Sequence, residues 1–288
     1  MKLLKDHVDY FIICESDKTQ SGIPIERKLR QRIDEFELPK EKIIIVDLNI
    51  PDDEHLEILD VDYHNSGVNN GNMNSVRARA RERLQKDAIL SVLDRFDDDT
   101  FIMHSDIDEI INPKNIEFVT NMVKIAPKNV IKVPLIWLEG RADLRVYNEA
   151  DNTPSPWNLS LYVCTKRHFN VVNPGNIRCN YQNPFPIVWC TDNNRIVEDM
   201  GWHFQWMGGK HMRKNKLSAF CHYEDSYDFL HSSSYNNKDA VETIEQKPEV
   251  GMIPPSLEKG LVLKKFDIKH LPSIIFDLPR VKDFLFAE

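Results

Sequence analysis

The chain has 288 residues, room for one large domain or two small ones. Its 41% hydrophobic and 28% charged residues are the profile of a soluble globular protein, and a net charge of −8 argues against wholesale nucleic-acid binding. No apolar run approaches the roughly 18 residues of a membrane span. Met1-Lys2-Leu3-Leu4-Lys5-Asp6-His7 carries no signal-peptide core. Five scattered cysteines form no Cys-x-x-Cys pair, so neither a zinc site nor a disulfide framework is indicated and a reducing, cytoplasmic setting is expected.

Val8 to Cys14 reads as a buried strand, followed by a loop at Ser21-Gly22-Ile23-Pro24. Residues 26 to 37 read as a charged helix, and Lys42 to Leu48 as the next strand. Residues 49 to 73 are polar, rich in Asn, Asp and Gly, and read as a long functional or mobile loop. Asn74 or Ser75 caps a helix expected to run to about Phe96, with Val76, Ala80, Leu84, Ala88 and Val92 as its apolar stripe. Arg77, Arg79, Arg81 and Arg83 crowd its first turns, where the helix dipole prefers anions. A carboxylate of the acidic motif or a bound diphosphate is one expected partner, and a solvated basic face the other reading.

The acidic motif follows. Asp97-Asp98-Asp99-Thr100 makes a turn, and Phe101-Ile102-Met103-His104 an apolar run ending in Ser105-Asp106-Ile107-Asp108-Glu109. Carboxylates at the C-terminal end of a strand lie where open α/β sheets bind ligands. In an extended segment Asp106 and Asp108 point the same way, as a pair of hard oxygen ligands for magnesium or manganese and a diphosphate.

Ile116 to Ile125 reads as a helix. Val130 to Leu138 reads as a strand interrupted by Pro134, hence an edge strand, ended by Glu139-Gly140-Arg141. The alternation up to this point predicts α/β architecture, a mostly parallel twisted sheet flanked by helices. Residues 147 to 194 are rich in Pro, Asn, Trp and Tyr and read as a loop-rich acceptor side, with Trp137, Trp157 and Trp189 either core or sugar-stacking platforms. Gly201-Trp202-His203-Phe204, followed by Gly208-Gly209-Lys210 and a basic stretch to Lys216, forms a second dense motif suited to phosphate. Phe220-Cys221-His222-Tyr223-Glu224-Asp225 is a further acid/base cluster, residues 226 to 246 read as a polar helix, and the tail from Leu271 to Phe286 reads as an apolar segment that docks on the body.

These pieces together resemble glycosyltransferase family seventeen, the family of the bisecting β-1,4-N-acetylglucosaminyltransferase. The likeness rests on Asp9-Tyr10-Phe11-Ile12-Ile13-Cys14-Glu15-Ser16 with Ser21-Gly22, Arg81-Glu82-x-x-Gln85-Lys86-x-Ala88-Ile89, Ser105-Asp106-Ile107-Asp108-Glu109-Ile110, Gly201-Trp202-His203-Phe204 and Lys216-Leu217-x-x-Phe220-x-His222-x-Glu224. They stand in family order over roughly residues 3 to 225. Two departures stand out. The strand and turn that usually precede the segment matching Lys2-Leu3-Leu4 are not in this sequence, and the proline after the acidic motif comes later, at Pro113.

The resemblance implies a single GT-A-like domain over 1–288, with residues 1–125 as the nucleotide-sugar half and 126–288 as the acceptor half and docking tail. It implies inverting transfer of a sugar, N-acetylglucosamine first, from a UDP-sugar to a glycan hydroxyl, with Mn2+ or Mg2+. Carried residue by residue, it makes Asp106 and Asp108 the metal and diphosphate pair, with His203 as a third ligand. Glu15, Arg81 and Lys216 become donor contacts, and Glu224, then Glu139, the general base. The expected partners are the nucleotide sugar and a glycan acceptor, with no nucleic acid and at most peripheral membrane contact, in a bacterial or viral-host cytosol. A metal-dependent phosphoesterase and a non-catalytic glycan-binding protein are the alternatives.

Overall fold

The computed structural model describes residues 1–36, 38–66, 73–157, 161–192, 195–196, 199–208, 212, 215–216, 218–219, 261–277, 281–282 and 285. The described elements run β1 (Phe11–Ser16), β2 (Ile43–Leu48), α1 (Asp60–Ser66), α2 (Met73–Asp87), α3 (Leu90–Leu93), β3 (Phe101–His104), β4 (Glu109–Ile111), α4 (Ile116–Ile125), β5 (Val130–Lys132), β6 (Leu135–Glu139), β7 (Leu144–Asn148), β8 (Pro156–Trp157), β9 (Tyr162–Thr165), α5 (Pro174–Cys179), β10 (Ile187–Trp189), β11 (Thr191–Asp192), β12 (Arg195–Ile196), β13 (Gly201–Gln205) and β14 (Leu261–Lys265).

The fold is α/β with mixed sheets. β1 and β2 pair in parallel. A four-stranded sheet has the order β10-β5-β9-β3, and a six-stranded one is built on the path β14-β7-β6-β13-β4 with β8 added against β6. The expectation of a mostly parallel sheet is corrected. Among the described residues only β1/β2, β10/β5 and β13/β6 are parallel, whereas β3/β9, β5/β9, β6/β7, β6/β8, β13/β4, β14/β7 and β11/β12 are antiparallel. Short connections allow this. β6 and β7 are joined by four residues, 140 to 143, and only antiparallel partners can be linked so tightly.

Two chain segments step from the four-stranded sheet into the six-stranded one. The first is the stretch between β3 and β4, which is the acidic motif itself. The second is Val133-Pro134, between β5 and β6. Proline has no N–H for the ladder, so the strand read from Val130 to Leu138 breaks there into two. The edge-strand expectation is corrected as well. β5 lies between β10 and β9, and β6 between β7 and β13, because the break moves the chain between sheets instead of placing it at a rim.

The sheet faces follow the period-two alternation of strands. On β13, Trp202 and Phe204 join Ile136 and Leu138 of β6 in an apolar cluster with Leu271, Ile275 and Leu285 of the tail. The opposite face carries Gly201, His203 and Gln205 beside Leu135, Trp137 and Glu139. Gly201 is required there: a Cβ would run into the Ile110 carbonyl and the Leu135 side chain. A second cluster, including Ile111, Val119, Val123, Ile131 and Leu161, fills the space under α4.

Three local readings change. The charged helix expected over 26–37 is a 3-10 segment, Arg30–Phe36. The long loop contains α1. The helix expected to reach Phe96 ends at Asp87, with the separate turn α3 after it. Among the described residues, no helix is long and apolar enough to cross a membrane.

Candidate active site

The arginines of α2 turn out to hold the framework. Arg83 donates to Asp62 at 2.9 and 3.1 Å and to the Glu57 carbonyl at 2.9 Å, and both side chains of the pair are buried. Arg79 pairs with Glu82 at 2.8 Å. Arg77 lies 3.9 Å from Asp53. Arg81, 4% exposed, pairs with Asp53 and donates to the Gln20 carbonyl at 3.0 Å. These carboxylates offset the dipole conflict at the helix start. None of these arginine pairs involves the acidic motif, and the polar stretch before α2 supplies Asp53 and Asp62 as partners.

Arg81 lies under the loop after β1. Its guanidinium is flat against Gly22, whose φ of +92° and missing Cβ make room for it. Gln85, one turn on, donates to the Ser16 hydroxyl at 3.0 Å and the Lys18 carbonyl at 3.3 Å. Ser21 in the same loop donates its amide to the Ala219 carbonyl at 3.1 Å and its hydroxyl to the Ser218 carbonyl at 2.7 Å. Glu15 is engaged locally, accepting from the backbone amides of Lys28 and Leu29 at 2.7 and 2.9 Å.

The acidic motif is a turn, not an extended segment. β3 ends at His104, and the Glu109 amide donates to the Asp106 carbonyl at 3.1 Å. The Asp106 amide in return donates to the Glu109 carboxylate at 3.0 Å. Asp106 and Asp108 therefore meet different partners. Asp106 pairs with Arg178 of α5, which also reaches Glu109 at 3.3 Å. Asp108 lies 3.1 Å from the Lys216 ammonium and 3.7 Å from Nε2 of His203. Ile107, between them, is 96% exposed.

Glu109 is the buried anchor of this turn. Trp157 donates its indole N–H to it at 2.8 Å and stacks on His203 with ring centroids 4.2 Å apart. Burial pushes the Glu109 carboxyl up, against the pull of Arg178. Asp106 also feels burial, but Arg178 and then Lys86 bring its pKa below the usual range. Behind the turn, Lys132 donates to the Arg178 carbonyl at 3.0 Å, and burial lowers its ammonium to about 8.

Burial also lowers His203 to about 4, with Asp108 opposing and Lys216 assisting. Its imidazole is thus neutral at pH 7, the form that ligates metals. Its Nδ1 has no hydrogen-bond partner among the described residues. Two ligands of one ion, each about 2.1 Å away, lie roughly 3 to 3.5 Å apart. The 3.7 Å between Asp108 and His203 is close to that. The pair fits a divalent cation that takes its other positions from a ligand or water. Asp106 pairs with Arg178 beside this pair of residues. Among the described residues no group of three His, Cys, Asp or Glu is gathered to hold a metal alone.

Of the expected site residues, Asp106, Asp108, His203 and Lys216 are brought together. Glu15 bonds the backbone of 28–29 and Arg81 the loop of 20–22, and neither hydrogen-bonds or ion-pairs with Asp108, His203 or Lys216. Glu139 is wholly buried on β6, where it accepts from the Trp137 indole at 2.9 Å. Glu224 lies outside the described residues, as does the polar helix expected over 226–246. Sequence reasoning passed over Arg178 and gave Glu109 no role. The signal for a cation was present, since three carboxylates within four residues need one, but nothing local says which of 37 basic residues arrives. Comparison with protein-family models, curated proteins and solved structures finds no match to this chain, so the family likeness rests on its motifs alone.

Proposed function

We propose that the chain is a metal-dependent inverting glycosyltransferase that moves a sugar, N-acetylglucosamine the first candidate, from a UDP-sugar to a glycan hydroxyl. The observation that supports this reading is the meeting of its separated motifs. Gln85 and Arg81 brace the Ser21-Gly22 loop. Ser21 is bonded to residues 218–219, and Lys216 just before them pairs with Asp108, which faces His203. These stretches, far apart in sequence, are thus linked through Lys216 and His203 to the turn of Asp108. A phosphoesterase would need a fuller set of metal ligands than Asp108 and His203 supply.

Asp108 and His203 are the residues that would hold a divalent ion, which when bound offsets charge on a leaving diphosphate. Lys216 offers a mobile ammonium beside the same carboxylate, suited to a phosphate oxygen. Arg178 keeps Asp106 ionised, and Trp157 fixes the plane of the His203 ring.

Thermal unfolding with a panel of nucleotide sugars, each with and without manganese, tests the donor. A ligand at a hundred times its Kd adds about 2.7 kcal/mol of stability. A manganese-dependent rise with a UDP-sugar, lost in Asp108→Asn, is the expected result. Sugar transfer by Asp108→Asn at the wild-type rate would sink the assignment.

A further inference from the structure

Arg145 of β7 is 9% exposed, yet its Nε has no hydrogen-bond partner and the residue joins no ion pair among the described residues. Its guanidinium carbon lies 5.8 Å from the Tyr147 ring and 5.9 Å from the Phe266 ring. Directly across the β7/β14 ladder stands Lys264, whose ammonium is 5.4 Å from the same Tyr147 ring. Like charges directly opposite each other in a ladder repel, and a buried cation without a counter-charge is costly. The two aromatic faces offset part of this. Asp143, the acid just before β7, is already held by Arg141 at 2.9 Å and Lys265 at 3.3 Å.

We propose that Arg145, Lys264 and Tyr147 form an anion site for a phosphate or carboxylate group. The guanidinium fork matches two oxygens of such a group. Exposed Lys264 adds the second charge, and the Tyr147 ring walls the site. The site is separate from the acidic turn. β7 and β14 lie at the far edge of the six-stranded sheet from β4. Arg145 is paired with Leu138, whose side chain lies on the Trp202 and Phe204 face, opposite to His203. The inference therefore stands without the transferase reading.

The test is thermal unfolding of the full chain in sodium phosphate and in sodium glucuronate, against sodium chloride of equal ionic strength. The expected result is a saturable rise in Tm beyond chloride. A rise with phosphate alone marks a phosphate ligand, one with glucuronate alone an acidic sugar, and either supports the site. Lys264→Glu places a carboxylate opposite Arg145; it is expected to raise Tm without added anion and to abolish the response. Should that variant not fold, Lys264→Gln at the same exposed position is expected to weaken the apparent anion affinity about tenfold. No rise in the wild type with either anion overturns the proposal. So does a Lys264 variant that responds as the wild type does, since the anion is then bound elsewhere.

Discussion

Arg178 reaches Glu109 at 3.3 Å across 69 residues of sequence and pairs with Asp106 through the same guanidinium. One buried cation thus spans both ends of the turn that presents Asp108. The side chain of Glu109 is wholly buried and that of Arg178 is 10% exposed, so solvent screens this contact little.

Arg178→Met should therefore cost on the order of 3 kcal/mol, the low end for breaking a buried pair, because Trp157 and the Asp106 amide still bond to Glu109. Burial already raises the Glu109 pKa, and removing Arg178 raises it further. A raised carboxyl gives its full stability below the unfolded pKa and loses it as pH rises through the folded one. The deficit relative to wild type should accordingly be smaller at pH 5 than at pH 8. Urea denaturation of both proteins at the two pH values checks this, and equal deficits would mean that Glu109 is not the group exposed. Arg178→Lys keeps the charge but not the fork, and should fall between.

A second pH effect has the opposite sign. His104 is buried beneath the acidic turn, its ring stacked on Tyr162 at 5.1 Å, and burial lowers it to about 3. Its folded pKa is below the unfolded value of about 6.5, so the unfolded chain binds more protons between the two. Its contribution is fully present above pH 6.5 and is lost as pH falls toward 3, at about 1.4 kcal/mol per unit. His104→Gln should flatten the acid limb of a stability-against-pH curve by about 3 kcal/mol between pH 6.5 and 4. A limb unchanged by the substitution would show that the ring does not resist protonation.

The acidic turn was legible because three carboxylates follow an apolar run, and β1, β2, α2 and α4 because apolar spacing matches strand or helix period. Pro134 announced a break but not its meaning, since Val130–Lys132 and Leu135–Glu139 have the same apolar character in either sheet. Pair orientation is equally silent: a strand's alternation does not depend on whether its neighbour runs parallel or antiparallel. Glu15 at the end of β1 and Asp108 after β3 both follow apolar runs, yet one holds two backbone amides and the other faces Lys216 and His203. A carboxylate's partner is set by what the fold brings to it. The cationic start of α2 pointed to an anion correctly, but the anions were Asp53, Asp62 and Glu82 from its own neighbourhood.

Gly22 offers a test of the loop that joins these parts. An alanine Cβ there would stand 2.9 Å from the Arg81 guanidinium carbon, at a φ of +92°. Gly22→Ala should destabilise the protein by about 1 to 2 kcal/mol from backbone strain, with more if Arg81 is displaced from Asp53. Under the proposed function, and because Ser21 ties this loop to residues 218–219, the variant should also weaken binding of the donor proposed above. Thermal unfolding and a binding titration read the two effects separately. A variant as stable as the wild type would mean the loop yields without strain.

The Arg83–Asp62 pair decides whether the arginines of α2 serve the framework. Asp62 is wholly buried, Arg83 is 7% exposed, and three hydrogen bonds of 2.9 to 3.3 Å join them. Asp62→Ala leaves a buried guanidinium bonded only to the Glu57 carbonyl, and Arg83→Met leaves a buried carboxylate bonded to the Leu59 amide. Each should cost about 3 to 5 kcal/mol. In the double variant Asp62→Leu with Arg83→Met both charges are gone, so the loss should be clearly smaller than the sum of the singles. Denaturant unfolding of the four proteins measures this coupling. Additive losses would free Arg83 from the framework role and return it to the candidates for binding an anionic ligand. Strong coupling, with binding of manganese and nucleotide sugar unchanged in the double variant, would leave the ligand to Asp108, His203 and Lys216.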